Sequence, residues 1–228
     1  MKILAVIPAR CGSKGFVDKN IAKVQGKTLL ELAVGIGLNC KIIDDVYIST
    51  DCRKYEEIAI AAGAQSLGLR KEALAGDNVK SIDVLIDLLE SIGKKYDYIV
   101  LLQPTSPVRT INDIENALNQ LIIKDADASV SICKFEEPHP FKLKSVNSNG
   151  YVESFLNNTT SEVTRQSLPE VYALNGAIYV IKSETILSEK TFFPEKTIPY
   201  MMDSNINIDC EADYILLKAL IDDGLVIL

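Results

Sequence analysis

Residues 2–20, KILAVIPARCGSKGFVDKN, join an apolar segment directly to a basic loop, and this junction indicates the class of fold. The apolar part, residues 2–8, is typical of a buried strand. The loop that follows contains Arg10, Lys14 and Lys19 but little that could pack in a core. A connection between core elements is usually shorter and less charged. We therefore expect the loop to hold a ligand.

Working outward from this junction, short apolar runs alternate with amphipathic stretches. Further strands are predicted over residues 45–50 and 96–103, and helices over residues 28–38, 54–63 and 81–93. This alternation predicts an α/β fold, a three-layer Rossmann-like architecture with a mostly parallel sheet and helices on both faces. Ligands of such sheets bind beyond the carboxyl ends of the strands. The basic loop follows the first predicted strand, so it lies where this rule places a ligand.

In the second half of the chain, one segment interrupts the alternation of predicted strands and helices. Residues 136–168 are polar and rich in Pro, Asn, Ser and Thr, which predicts an excursion from the core, either a hairpin arm or a lid. We expect a single domain over residues 1–228 with this excursion inserted in it. The other elements predicted here are a helix over 111–123, strands over 127–135 and 172–181, and a final helix from Glu211 to about Asp222.

The composition excludes several classes of protein. The formal net charge is −7 at pH 7, whereas a nucleic-acid-binding domain normally carries a basic face. No segment approaches the roughly 20 apolar residues of a membrane-spanning helix, and the N-terminus lacks a signal-peptide pattern. The five cysteines are scattered without a C-x-x-C pair, as in proteins of a reducing compartment. We therefore expect a cytoplasmic protein that binds neither nucleic acid nor a membrane.

Two common phosphate-binding motifs are incomplete in this chain. Residues 26–28, GKT, match the end of a Walker A motif, but that motif needs a glycine five positions earlier, where the chain has Ile21. We interpret residues 26–28 as a turn that leads into a helix. The dinucleotide fingerprint also fails, because Gly35 and Gly37 lie inside a helical pattern and are followed by Cys40. This disfavours a flavin or nicotinamide oxidoreductase.

The first loop, in contrast, contains the groups that bind a polyphosphate. Gly12, Ser13 and Gly15 allow backbone N–H groups to turn inward as a nest for anions. Arg10 can donate to two phosphate oxygens, and the two lysines supply mobile positive charges. The alternative is a solvated basic loop. Three cations and two glycines directly after a buried strand favour a phosphate site.

The same loop carries a family resemblance. Residues 8–20 read P-A-R-x-x-S-K-G-x-x-x-K-N, which is similar to the signature of the acylneuraminate cytidylyltransferase family, including its legionaminate and pseudaminate types. Four further segments resemble that family in the expected order: LRKEALAGDNVKS (69–81), LLQPTSPVRT (101–110), LNGAIY (174–179) and NINIDCEADY (205–214). The resemblance covers essentially the whole chain.

The resemblance implies a fold of the nucleotide-diphospho-sugar transferase type and a reaction. CMP is transferred from CTP to the anomeric hydroxyl of a nine-carbon 2-keto-3-deoxy sugar acid, and pyrophosphate is released. It further implies that Arg10, Lys14 and Lys19 hold the triphosphate and stabilise the leaving group. The implied nucleotide contacts are Arg10, Gly12, Ser13, Lys14, Arg70, Asn78 and Ser81. Ser81 could equally be only the cap of a helix.

A divalent metal, Mg²⁺, is also implied, since phosphate oxygens need to be bridged. Asp209 is the candidate ligand. Family members often carry a second acidic residue two positions earlier, where this chain has Asn207. Alternate residues of an extended segment point the same way, but an amide oxygen is the weaker ligand. The other role open to Asp209, which could hold together with a metal role, is N-cap of the last helix.

Residues for the sugar acid are implied by resemblance as well. Gln103 follows a predicted strand and is expected at the carboxyl edge of the sheet. Lys142 and Arg165 lie in the excursion, which would be an arm that reaches across a homodimer; its alternative is an ordinary surface loop. The full implied set is Gln103, Lys142, Arg165, Asn175, Tyr179, Phe192 and Phe193. Aromatic residues of this kind are more often part of the core.

Alternatives to an N-acylneuraminate substrate stay open. Legionaminate, pseudaminate or an octulosonate would undergo the same chemistry. Octulosonate enzymes usually have an Arg-Leu pair where this chain has Lys14-Gly15, which favours a nonulosonate. The alternative of another class is a non-catalytic nucleotide-binding protein on the same fold. Asn207 supports that alternative, whereas retention of Arg10 and Asp209 together opposes it.

Overall fold

A computed structural model describes residues 1–12, 15–76, 78–157 and 159–228 of the chain. Its strands are β1 (Ile3–Pro8), β2 (Lys23–Val24), β3 (Lys27–Thr28), β4 (Asp45–Ser49), β5 (Tyr98–Leu101), β6 (Ala128–Phe135), β7 (Lys144–Val146), β8 (Val152–Ser154), β9 (Val171–Lys182) and β10 (Thr197–Met202). Its α-helices are α1 (Leu29–Asn39), α2 (Arg53–Ala61), α3 (Ser81–Ile92), α4 (Ile111–Ile123), α5 (Ser183–Glu189) and α6 (Glu211–Asp222).

Six strands form the central sheet, in the order β10-β6-β9-β5-β1-β4. Strand β1 lies between β4 and β5 and is parallel to both. Strand β9 alone runs against its neighbours, because it is antiparallel to β5 and to β6. The sheet is therefore mostly parallel, as the alternation of strands and helices predicts.

Helices cover both faces of this sheet. Along β1, Ile3 and Ile7 face one core, which receives α1, α2 and α4. Leu4 and Val6 point to the opposite face and pack with α3 and α5. Because successive side chains of a strand alternate between faces, one strand without polar side chains supports two layers of helices. The predicted three-layer architecture is confirmed.

The turn before α1 confirms the interpretation of residues 26–28. Gly26 has a positive φ of 82° and forms the turn between β2 and β3. Thr28 then caps α1: its hydroxyl accepts from the Glu31 N–H at 3.1 Å, and its own N–H donates to the Glu31 carboxylate at 2.6 Å. The reciprocal pair is a capping box that fixes where the helix begins. The segment has a structural role.

The excursion contains a short hairpin, and the polar composition of residues 136–168 agrees with its position outside the main sheet. Strands β7 and β8 pair antiparallel, with Ser145 opposite Glu153. The sequence patterns give no signal for α5, which is only seven residues long, or for β10, a sheet-edge strand that contains Pro199. None of the helices in the described part of the chain is long and apolar enough to cross a membrane.

Candidate active site

A cavity of about 440 Å³ lies beyond the carboxyl ends of β1 and β5. Strand β1 ends at Pro8 and leads to Arg10, while β5 leads to Gln103. The cavity is lined by Pro8, Arg10, Gly15, Lys19, Asn20, Arg70, Leu74, Gly76, Val79, Ser81, Val84, Gln103, Pro104, Thr105, Asn207 and Asp209. Segments far apart in sequence therefore meet at the edge where the fold class predicts a ligand.

Backbone contacts fix the start and the end of the basic loop. The Ala9 N–H donates to the Ser49 carbonyl at 3.0 Å, and the buried Asn20 side chain donates to the Arg10 carbonyl at 3.1 Å. A Cβ atom on Gly15 would lie 2.6 Å from the Asp209 carbonyl oxygen, so only glycine fits there. Gly12 has a positive φ of 74°, as a nest requires. The predicted residues Ser13 and Lys14 lie outside the described residues.

Positive charge dominates the lining of the cavity. Arg10, Lys19 and Arg70 contribute cations, whereas Asp209 is the one acidic lining residue in the described part of the chain. Burial lowers the pKa of Arg70 to about 10, and the nearby Arg10 guanidinium acts in the same direction. Arg70 therefore stays protonated at neutral pH, held by Ser49, whose hydroxyl accepts from it at 2.9 Å. An anion between the two guanidinium groups would relieve their repulsion.

Asp209 has a hydrogen-bond partner on each carboxylate oxygen. Lys19 Nζ donates to Oδ1 at 2.8 Å, and Asn207 Nδ2 donates to Oδ2 at 2.8 Å. The Asn207 side-chain oxygen, Oδ1, in turn accepts from the Ser106 hydroxyl at 3.1 Å. Asp209 does not cap α6, because Cys210 occupies the N-cap position and Asp213 accepts from its N–H. The N-cap alternative is therefore wrong.

The donor set fits a magnesium ion better than a metal that needs a full protein cage. Within the described ranges, no group of three or more His, Cys, Asp or Glu residues could hold a metal ion. Mg²⁺ usually takes one or two carboxylates and completes its shell with water and substrate phosphates. Asp209 supplies a carboxylate, and the Asn207 amide oxygen lies two residues away along the same extended segment.

A buried arginine positions the Gln103 loop. Arg109 Nη1 donates to the carbonyl oxygens of Gln103, Ser106 and Ala177, each at 2.9 Å. Burial lowers the pKa of Arg109 to about 9. Its partners are backbone carbonyls, not the carboxylate that a structural arginine usually pairs with. Gly176 packs against the same loop, since a Cβ atom there would lie 2.8 Å from Gln103 Oε1 and 2.9 Å from Ser106 Oγ.

A second cavity of about 490 Å³ adjoins the first and shares Val79, Ser81 and Gln103 with it. Its wall is aromatic: the ring centroids of Tyr179 and Phe192 are 5.3 Å apart, and those of Tyr179 and Phe193 are 6.4 Å apart. Burial raises the pKa of Tyr179. Two lysines, Lys80 and Lys190, also line this cavity. Four predicted sugar contacts are thus brought together, namely Gln103, Tyr179, Phe192 and Phe193.

Four other residues predicted for the site line neither of these two cavities. Asn175 is buried, its oxygen accepts from the Ser131 hydroxyl at 2.6 Å, and its amide donates to the Ser204 carbonyl at 3.0 Å. Arg165 pairs with Glu136 at 2.8 Å, and Lys142 lies 3.8 Å from Glu137. Asn78 lies between the lining residues Gly76 and Val79 without lining either cavity itself. The roles predicted for Asn78, Lys142, Arg165 and Asn175 stay predictions.

Several lining residues are missing from the predicted set, among them Asn20, Thr105 and Lys190. Asn20 is 5% exposed and ends the quoted 8–20 motif, which is the signal that could have identified it. Thr105 accepts the Ile208 N–H at 2.8 Å and so joins the Gln103 loop to the Asp209 segment. Lys190 has no motif around it, and only the three-dimensional structure places it beside the aromatic residues.

Known proteins resemble this chain along most of its length. A family model described as "Cytidylyltransferase" matches residues 4–222. The N-acylneuraminate cytidylyltransferase of Streptococcus agalactiae serotype V is 34% identical over 219 residues, which cover 94% of this chain and 52% of that protein. The chain thus spans about half the length of that relative. The CMP-N,N'-diacetyllegionaminic acid synthase of Legionella pneumophila is 33% identical over 97% of both chains.

A solved structure has the same fold. The CMP:2-keto-3-deoxy-manno-octonic acid synthetase, complexed with CTP, superposes with a TM-score of 0.73 and covers 98% of this chain and 100% of that one. The two sequences are 18% identical. At this identity the likeness concerns the fold alone.

Proposed function

The chain belongs to the cytidylyltransferase family, and we propose that it transfers CMP from CTP to the anomeric hydroxyl of a nine-carbon 2-keto-3-deoxy sugar acid. The acceptor is an N-acylneuraminate or a related nonulosonate, and pyrophosphate is the second product. One observation carries the proposal: the basic cavity with Arg10, Lys19 and Arg70 shares Gln103 with an aromatic cavity. A triphosphate in the first and a sugar in the second would meet at Gln103.

The basic loop would act on the phosphates. The reaction needs an in-line approach of the anomeric oxygen to the α-phosphorus and neutralisation of the charge that develops on pyrophosphate. Arg10 and Lys19 line the cavity and would supply that charge, together with Lys14 as expected from the sequence. Interactions that strengthen as the charge develops raise turnover more than they raise affinity for CTP.

The nucleoside would lie on the side of the cavity formed by Arg70 and Ser81. The Arg70 guanidinium is held by the Ser49 hydroxyl and backbone, so its orientation is fixed before a ligand arrives. Helix α3 begins at Ser81, and its N-cap is Lys80, so Ser81 is not the cap residue. Ser81 lines the cavity, and its hydroxyl would contact the nucleoside. Asn78 is proposed as a further nucleotide contact.

Asp209 would hold Mg²⁺ at the phosphates, and Asn207, whose side-chain oxygen now accepts from Ser106, would be the weaker second ligand after rotation of its amide. When bound, Mg²⁺ neutralises phosphate charge and bridges phosphate oxygens. The Lys19 ammonium, now 2.8 Å from Asp209 Oδ1, would exchange this partner for a phosphate oxygen. Lys19 thereby keeps a negative partner in both states, and Asp209 becomes free to act as a ligand.

The aromatic cavity would accept the sugar and its N-acyl group, with Gln103 donating to substrate hydroxyls. Tyr179, Phe192 and Phe193 supply apolar contact area. We propose Lys142 and Arg165 as partners of the sugar carboxylate, delivered by the excursion from a second copy of the chain. Asn175, which precedes Gly176 beside Gln103, is proposed as a further residue of the sugar site, with its side chain oriented by Ser131 and Ser204.

The exposed apolar residues of the hairpin support a homodimer. Val146, Tyr151, Val152 and Phe155 are 62% to 71% exposed. Apolar side chains clustered on such a small element are characteristic of a surface that a protein partner covers. In the proposed dimer, this surface packs on the second copy and brings the arm to its site.

Mixing two inactive variants tests the arm. If Arg165 serves the partner's site, dimers of Arg10→Ala with Arg165→Ala contain one site that has both arginines. Turnover at low sugar concentration should then rise well above that of either variant alone. If Arg165 acts within its own chain, mixing restores nothing, and a monomer in sedimentation analysis would likewise contradict the arm proposal.

Pyrophosphate release from CTP and Mg²⁺ tests the reaction itself. The panel contains N-acetylneuraminate, N,N'-diacetyllegionaminate, pseudaminate and an octulosonate, and the sugar with the highest kcat/KM identifies the acceptor. No release with any of them, combined with CTP binding, would favour the alternative of a non-catalytic nucleotide-binding protein.

The cysteines bear on the proposed cytoplasmic location. They are free thiols, as is usual in a reducing compartment: Cys11, Cys40, Cys52, Cys133 and Cys210.

A further inference from the structure

Two cysteines from different strands meet beside the phosphate loop. Strands β1 and β4 are paired in parallel with Pro8 opposite Ser49. Cys11 and Cys52 each follow their strand by three residues, so the register places them side by side. The Cys11 N–H donates to the Asp51 carboxylate at 2.7 Å, which joins the two segments directly. Cys11 and Cys52 are both partly exposed, and the Cys52 thiol is near enough to act on the pKa of Cys11.

We propose that Cys11 and Cys52 form a redox-sensitive pair that closes to a disulfide and thereby switches off the phosphate loop. The pair is a modification site for low-molecular-weight disulfides such as oxidised glutathione. A thiolate of the pair attacks the glutathione disulfide and releases one reduced glutathione. The second thiolate then displaces the other glutathione, so two protein thiols and one oxidised glutathione give one protein disulfide and two reduced glutathione molecules.

The geometry explains why closure would affect turnover. An S–S bond is only about 2 Å long, so joining two neighbouring thiols draws Cys11 toward the start of α2 by a distance on the order of 1 Å. Arg10 precedes Cys11 directly, and Gly12 follows it with a positive φ of 74°. The pull therefore acts at the guanidinium proposed to grip the triphosphate. This consequence rests on the proposed function, whereas formation of the disulfide does not.

The environment of the Cys11 thiol determines how fast the disulfide forms at a given pH. Burial, with the neighbouring Cys52 thiol, raises the pKa of the Cys11 thiol above its ordinary value of 9.0. The reactive species is the thiolate, so closure should be slow at neutral pH and faster as the pH rises. A slow, equilibrium response to a sustained oxidising condition fits this site better than a fast response to brief oxidant pulses.

The experiment treats the full chain with oxidised glutathione at alkaline pH and maps its peptides by mass spectrometry. We expect a linked pair of peptides containing Cys11 and Cys52, at a mass lower by two hydrogens. Turnover should fall by about 100-fold, the scale that a 1 Å misplacement costs, and dithiothreitol should restore it. Cys52→Ser should form no link and keep its turnover under the same treatment. Cys210→Ser removes the exposed thiol next to Asp209, and oxidation should still lower the turnover of this variant relative to its own reduced form, because the loss comes from the link between Cys11 and Cys52.

Formation of the disulfide and its effect on turnover are contradicted by different outcomes. If Cys210 forms its glutathione adduct but no link joins Cys11 to Cys52, the proposed pair is wrong. If the link forms and both turnover and CTP affinity stay unchanged, the pair is not coupled to the loop. Failure of the proposed function is distinguishable, because the reduced chain would then release no pyrophosphate with any sugar.

Discussion

The ammonium of Lys19 lies 2.8 Å from the carboxylate of Asp209, although 190 positions separate the two residues in the chain. The Lys19 side chain is 18% exposed and that of Asp209 is 68% exposed. Gly15 permits this contact, because a side chain there would collide with the Asp209 carbonyl. The basic loop and the proposed magnesium ligand are therefore preassembled at one edge of the sheet.

Removing the Asp209 charge should impair turnover without affecting the fold. In Asp209→Asn the shape is kept, but the carboxylate for Mg²⁺ and the partner of Lys19 are lost. We expect kcat to fall roughly 100-fold or more, with a higher Mg²⁺ concentration needed for half-maximal rate. The measurement is pyrophosphate release across a magnesium titration. Asp222→Asn, at the exposed end of α6, removes the same charge away from the site and should leave both values unchanged.

Substitution of Arg10 tests the proposed role of the basic loop in turnover. Arg10→Ala should lower kcat by roughly 100- to 1,000-fold, since one preorganised charge is lost from the leaving group. The melting temperature should stay close to that of the unmodified sequence, and Lys41→Ala, an exposed cation outside the cavity, should retain normal turnover. Steady-state kinetics and calorimetry measure both effects. Normal turnover of Arg10→Ala would remove the loop from the mechanism.

Gly176 allows a matched comparison with Gly150. Both have a positive φ, of 71° and 82°, so alanine at either position should cost about 1–3 kcal/mol of unfolding free energy. A Cβ atom at Gly176 also collides with Gln103, whereas at Gly150 no atom lies within 4 Å. Gly176→Ala should therefore lower kcat/KM for the sugar in addition, and Gly150→Ala should not. Equal activity of the two variants would argue against a role for the Gln103 side chain.

The sequence predicts those parts of the site whose residues lie next to one another in the chain. The β1 strand and the loop after it can be recognised because their residues are contiguous, and the resemblance adds Arg70 and Asp209. Arg109, in contrast, is defined by three carbonyl acceptors, one of them on β9. Lys190 lines the aromatic cavity because α5, which ends just before it, packs against β9 and α3, and no spacing in the sequence reveals this packing. Asn175 matches a motif, yet its amide bonds inside the protein.

Asp213 links the stability of the site to pH. Its carboxylate accepts the backbone N–H groups of Asp209 and Cys210, each at 2.9 Å, and these hydrogen bonds lower the pKa of Asp213 below 3.8. Because the folded pKa is the lower one, the contribution to stability is present above 3.8 and is lost as the pH falls through the folded value. Asp213→Asn should unfold more easily at neutral pH, and the difference from the unmodified sequence should shrink below pH 3.8. Urea unfolding at several pH values measures this difference, and a constant difference would contradict the assignment.

The two adjoining cavities have a consequence for how this protein can diversify. Among the residues that the structure describes, Val79, Ser81 and Gln103 line both cavities, whereas residues 190–193 line the aromatic cavity alone. In the proposed function, substitutions in that short segment would reshape the acceptor pocket while the proposed triphosphate site is preserved. A lineage would then acquire a new sugar preference through few mutations, without passing through forms that have lost the capacity to activate CTP.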